Sequence, residues 1–431
     1  MSKKEILLIV IVVAIVAGVL IVVGMMKSPK CRPVSLEIWG VYDEPEITNE
    51  FIAEYKKANK CVSNIVYKQK AFIDYEKELI NALAIDKGPD IWMMHNTWLP
   101  KYKDKIIELP EELFSYANFR QAFVDVAIQD LTENNKIYGI PLYVDTLTLF
   151  YNKNFFNSAG ISSPPETWEE LIADLDKLTQ KNQWGGIERA GAAIGTAENI
   201  NRASDILALL MLQNGTKMVS DDKKSAVFDE SIILKGESYY PGKDALRFYT
   251  DFSGPNKRAY TWNRQMPYSV DAFADAKAAM MFAYSYHIQT LEDKNPYLNY
   301  AIAPMPQIEG REFDVNYANY WGLTVSKKSK AIEEAWKFIL YLSQKENNKR
   351  YLQKAHRPTA RRDLIDWQKK DNLDLAVFAD QSLTARSWYQ IDSAAIEKIF
   401  NDAIESVVLG SATYDDAIEN MTNQITLLMK K

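Results

Sequence analysis

Histidine and cysteine are scarce in this chain, with three and two copies among 431 residues. Scarcity of that degree excludes multi-histidine zinc chemistry and a scaffold stapled by many disulfides. An excess of positive charge is also missing. Lys and Arg number 51 against 57 Asp and Glu, a formal charge of −6. Nucleic acid is therefore not an expected partner, because phosphate binding needs a basic face that releases counterions. There is no Gly-x-Ser-x-Gly elbow, no Walker loop and no His-Glu-x-x-His. The glycines at 185, 186, 191 and 195 fit a flexible loop and not a dinucleotide fingerprint, and His95, His287 and His356 are widely scattered. Neither an internal repeat nor a Pro/Gly/Ser linker divides the chain. The expectation is a protein with no catalytic residues, no metal ligands and no cofactor.

Long apolar runs are confined to one place, residues 6–26, which carry no charge. At about 1.5 Å rise per residue this run matches a hydrocarbon core of about 30 Å. The alternative is a cleaved signal peptide, with an apolar stretch of about 7–15 residues and a small-residue cleavage site. Met25-Met26-Lys27 follows the run instead, and Ser28-Pro29-Lys30 before Cys31 does not suit lipidation. The reading is an uncleaved transmembrane helix tethering an extracytoplasmic domain at the cell membrane. Basic residues flank both ends, so charge alone does not orient it.

After the run, the pattern alternates. Strands are expected at 34–40, 65–69 and 91–94, with helices between them carrying Phe51, Ile52 and Tyr55, then Tyr75, Leu79, Ile80 and Leu83. Repeated strand–helix–strand units of this spacing predict an α/β layer with a parallel sheet. Further strands are expected at 138–143 and 147–151. Thr167-x-x-Glu170 is a capping box, and two amphipathic helices close the tail. Cys31 and Cys61 each precede one of two strands that parallel pairing would place side by side. A Cys31–Cys61 disulfide is one reading, and two separate buried thiols the other.

Aromatic residues are abundant, with 10 Trp, 24 Tyr and 17 Phe. They recur beside acids and amides at the ends of expected elements: Trp39 before Tyr42 and Asp43, Trp92 and Trp98 around Asn96, Tyr143 before Asp145, and Tyr320-Trp321 and Trp388-Tyr389. A single such residue usually packs a core. Their recurrence at strand ends is less usual, because open α/β sheets bind ligands beyond the carboxyl ends of their strands. Aromatic faces with carboxylates and amides suit a sugar, which stacks its C–H faces and hydrogen-bonds through its hydroxyls.

The stretch Tyr138-Gly-Ile-Pro-Leu-Tyr-Val-Asp-Thr-Leu-Thr-Leu-Phe-Tyr-Asn-Lys153, with Ala159-Gly-Ile161 and Pro165-x-Thr-Trp-x-Glu-Leu171 after it, resembles family 1 extracellular solute-binding proteins. These are the sugar-binding receptors of ABC importers, the group of the maltose-binding protein. Gly88-Pro-Asp-Ile91, Lys277-Ala-Ala-Met-Met281, Pro304-Met-Pro306 and Trp321-Gly-Leu-Thr-Val-Ser326 agree in order and spacing, so the likeness covers about residues 34–431. It implies a two-lobed periplasmic-binding-protein-like fold of class II, with strands crossing between lobes. Residues 34–144 and 315–355 would form one lobe, and 145–314 and 356–431 the other. The resemblance further implies a monomeric, non-enzymatic receptor that binds a carbohydrate in the cleft and hands it to permease subunits. Carried over by position, the cleft candidates are Asp43, Asn96, Trp98, Asp145, Glu198, Tyr286, Trp321, Trp388 and Tyr389. A membrane-anchored glycoside hydrolase and a sensory receptor of the same fold are the alternatives.

Overall fold

The computed structural model describes residues 33–234 and 236–430. The apolar run at 6–26 and Cys31 lie outside them. Among the described residues no helix is long and apolar enough to cross a membrane.

In chain order, β1 (Val34–Gly40), α1 (Pro45–Ala58), β2 (Val62–Gln69), α2 (Phe72–Ala84) and β3 (Ile91–His95) form the first alternating unit. The chain then reaches β4 (Thr148–Asn152), α3 (Ala203–Gln213), β5 (Met280–Ala283) and β6 (Tyr300–Ala303). It continues through β7 (Trp321–Ser326), α4 (Ile332–Ser343) and α5 (Lys345–Ala355), and ends with α6 (Ser393–Val408) and α7 (Tyr414–Met429). In the first sheet β1 lies between β2 and β3, parallel to both. β7 returns antiparallel beside β3, with Trp321 opposite His95 and Val325 opposite Ile91. In the second sheet β4 is central, antiparallel to β5 and β6. The expected strand at 138–143 is reduced to Ile140–Pro141, because Pro141 has no N–H with which to extend the ladder.

Local chemistry explains several boundaries. Thr413 caps α7 in a full capping box with Asp416, and Asp392 caps α6 by accepting from the Ala395 N–H. Gly40 ends β1 where a Cβ would collide with the Tyr67 ring, whose hydroxyl donates to the Asp43 carbonyl at 2.8 Å. Only glycine allows that approach.

Two hydrophobic cores result. One gathers side chains from Leu36 to Val144 and from Ala318 to Ile365, with Ala385. The other gathers Leu147 to Tyr317 and Leu375 to Ile425. Ala360, Leu364 and Ile365 belong to the first core, so its packing extends past residue 355. The chain passes between cores near 145 and 317, where Thr146 bridges Ala318, and again after 365. Asn316–Tyr317 pairs parallel with Ala385–Arg386 at the same crossing.

Candidate functional site

A cavity of about 560 Å³ is lined by residues from both cores. On the first side, Trp321 opens β7 and Asn96 and Trp98 follow β3, because the antiparallel register places Trp321 beside His95. Trp321 sits within an aromatic cluster. Its ring centroid is 5.0 Å from Trp98, 5.2 Å from His95 and 5.8 Å from both Tyr42 and Tyr75, all edge-on. On the other side stand Tyr286, stacked on Tyr284 at 5.9 Å, and Trp388, edge-on to Phe228 at 5.6 Å. Trp98, Trp321 and Trp388 line the cavity although each is only 6% exposed.

Six of the nine sequence candidates therefore meet at this cavity: Asn96, Trp98, Asp145, Tyr286, Trp321 and Trp388. The other three do not line it. Asp43 is buried and accepts from the Tyr351 hydroxyl at 2.7 Å, which ties the turn after β1 to α5. Glu198 is exposed and paired with Arg264. Tyr389 lies under Lys223, whose ammonium is 5.0 Å from the ring centroid.

Asp145 lines the cavity but faces protein donors. It accepts from Ser285 Oγ at 2.7 Å, the Ser285 N–H at 3.1 Å and the Thr146 N–H at 2.9 Å. The other lining carboxylates are held as well. Glu76 pairs with Lys101 at 2.9 Å, and Asp205 is gripped by both Arg202 Nε at 2.8 Å and Arg202 Nη2 at 3.1 Å. Glu397 accepts from the same guanidinium at 3.3 Å. Lys101 also reaches Asp392 at 2.8 Å, and Trp98 Nε1 donates to Ser393 Oγ at 3.3 Å, so both contacts span the two sides. Asn96 Oδ1 is buried at the cavity with no hydrogen-bond partner among the described residues.

Arg202, Asp205, Arg357 and Glu76 were missed by sequence reasoning. Arg202 and Asp205 are spaced i, i+3 at the start of α3, a weak signal that a helix-pair search would find. Arg357 simply precedes a proline after α5 and carries no motif.

Burial dominates the titration of this region. It pushes Asp130 and Asp145 up to about 6, against hydrogen bonds that favour the charged form. It pushes His287 down to about 4, and His95 likewise, with the Arg202 charge adding to it. The two sets act oppositely. Carboxyls raised in the fold hold protons that the unfolded chain releases, so between pH about 4 and 6 acid strengthens the fold through them. Histidines lowered in the fold are protonated first when unfolded, so acid weakens the fold between pH about 6.5 and 4. Asp130 accepts from Asn96 Nδ2 at 2.9 Å and from the Tyr320 hydroxyl at 3.0 Å. Asp130→Asn removes one stabilising contribution and leaves the histidines. From pH 6.5 to 5, its melting temperature should drop relative to wild type. Parallel curves in scanning calorimetry would refute this balance.

The model of the bacterial extracellular solute-binding protein family matches residues 42–349. The maltodextrin-binding protein MdxE of Bacillus subtilis (strain 168) is 26% identical over 338 residues, 74% of this chain and 72% of that one. The galactooligosaccharide-binding protein of the same organism is 23% identical, covering 73% of this chain and 70% of its own. Among solved structures, the sugar-binding protein MalE from the phytopathogen Xanthomonas citri superposes with a TM-score of 0.77 at 21% identity. That superposition covers 92% of this chain and 98% of the other, and it identifies the fold as the two-lobed α/β fold of the maltose-binding-protein type. With the family's pattern running through parts of both cores and the crossings near 145 and 317, this chain belongs to the bacterial extracellular solute-binding protein family.

Proposed function

We propose that this protein captures a carbohydrate outside the cytoplasmic membrane and passes it to the permease of an ABC importer. The carrying observation is the cavity itself, where tryptophans and tyrosines from two cores surround a space of about 560 Å³ beside polar groups. Flat aromatic faces suit sugar rings, and relatives named for maltodextrin and galactooligosaccharide binding support the same solute class. The lobes are 34–144 with about 318–365, and 145–317 with the remainder. Catalysis is not part of this role. Every lining carboxylate is engaged by protein donors, so none is left as a free acid–base pair across the cavity. Isothermal titration of the full chain in detergent with mono- and oligosaccharides tests the reading, with chromatography of the recovered ligand. Saturable binding with intact sugar is the expected result. Heat from amino acids, polyamines or phosphate with none from sugars would overturn it, and shortened sugar would make the protein a hydrolase.

The domain is tethered by the uncleaved helix at 6–26, and Cys31 pairs with Cys61. Supporting the pairing, the Val34 N–H donates to the Cys61 carbonyl at 2.9 Å, and β1 and β2 start side by side from Val34 opposite Val62. Closing a loop of this length contributes about 3–4 kcal/mol in the chain-entropy account. Intact mass and unreduced peptide mapping of membrane-extracted protein should show the complete N-terminus and one cross-linked peptide pair. A chain beginning near residue 27, or two alkylated cysteines, would remove the corresponding proposal.

A further inference from the structure

One charged group in the cavity differs from the rest. Arg202, Glu76, Asp205 and Glu397 are all committed to ion pairs, and Asp145 to hydrogen bonds. Arg357 also lines the cavity and is only partly exposed, yet its guanidinium has no ion pair and no hydrogen-bond partner among the described residues. Asp43 and Asp145 act on it through space, but each is already held, by Tyr351 and by Ser285. What positions Arg357 is aromatic. Its guanidinium carbon lies 5.4 Å from the Tyr143 ring centroid and 5.8 Å from that of Tyr42. Both are cation–π contacts, which hold the guanidinium in place without using its N–H donors.

A partly exposed guanidinium whose five donors no protein group uses is free to bind a ligand that enters the cavity and displaces its water. The planar fork matches two oxygens of one anionic group, and charge-assisted bidentate bonds are the strong kind. His95 stands in the same cavity but is pushed down to about 4 by burial, so it is neutral near pH 7 and supplies no second cation. We propose that Arg357 anchors an oxyanion on the solute, so that the saccharide captured is an acidic one bearing a carboxylate or a phosphate. This rests on the sugar-binding reading and narrows its substrate class.

The test is titration calorimetry on the full chain in detergent with digalacturonate, its carboxyl-reduced neutral counterpart, glucose 6-phosphate and glucose. At least one acidic member should bind about 100-fold tighter than its neutral partner. The pair showing that gap tells carboxylate from phosphate. Arg357→Gln should abolish the preference, and Arg357→Lys should retain only part of it, since an ammonium keeps the charge without the fork. Thermal unfolding of both variants establishes that they fold, and the lysine variant decides the matter if the glutamine variant does not. Neutral sugars binding as tightly as acidic ones, or a preference that survives substitution, would overturn the anchor and leave sugar capture standing. Absence of binding by all four would count against sugar capture itself, and the anchor would fall with it.

Discussion

Alanine at Trp321 is expected to weaken ligand binding by about 30-fold or more and to lower stability by about 3–5 kcal/mol. Both effects come from one position in the fold. Trp321 begins β7 and is 6% exposed, and its ring meets Trp98, His95, Tyr42, Tyr75 and Phe72. Removing it opens a hole under the cavity floor and frees five aromatic neighbours to shift, so the site loses a stacking surface and its rigidity together. Trp321→Phe separates the two effects. It keeps an aromatic face but shortens it, and should recover most of the stability while recovering binding only in part. Denaturant unfolding alongside titration calorimetry reads both quantities. Affinity unchanged in the alanine variant would show that the solute does not rest on this cluster.

Asp205→Ala at the second side should destabilise the fold by about 3–5 kcal/mol. The Asp205 side chain is 7% exposed and holds Arg202 through two bonds, accepts from the Tyr284 hydroxyl at 2.6 Å and from Asn319 Nδ2 at 3.4 Å. It also lies in the first turn of α3, where a negative charge suits the helix dipole. Truncation leaves a partly buried guanidinium facing only Glu397 and deprives the Tyr284 hydroxyl of its acceptor. The cost comes from the uncompensated charge, not from the worth of the pair. An Arg202→Met/Asp205→Leu double variant should therefore be less destabilised than Asp205→Ala alone. Urea unfolding of the three proteins measures this. A double variant worse than the single one would show the ion pair itself to be net stabilising.

Much of this protein was legible in one dimension. Alternating strand and helix periods placed β1 to β3, the Thr167-x-x-Glu170 pattern placed a helix start that Thr167 caps, and ordered motifs from Gly88 to Ser326 pointed to the family. These are local or serial properties, and a chain displays them residue by residue. Asn96, Trp98, Asp145, Tyr286, Trp321 and Trp388, carried over by position from the family resemblance, all line the cavity. What the sequence could not display is which way a side chain faces once distant segments meet. Asp43 belongs to a strand end like the others, yet Tyr351, 308 residues away, turns it inward. Asp145 was expected to receive sugar hydroxyls, but Ser285 reaches it across 140 residues and takes its oxygens. Arg202 and Arg357 carry no motif. Their difference, one guanidinium locked to Asp205 and the other resting between two tyrosine rings, exists only after two cores have closed on a shared cavity. Sequence period determines which residues are buried within an element, because burial there follows the helix and strand repeat. Partnership between elements depends on contacts separated by hundreds of residues, and only the tertiary structure decides those.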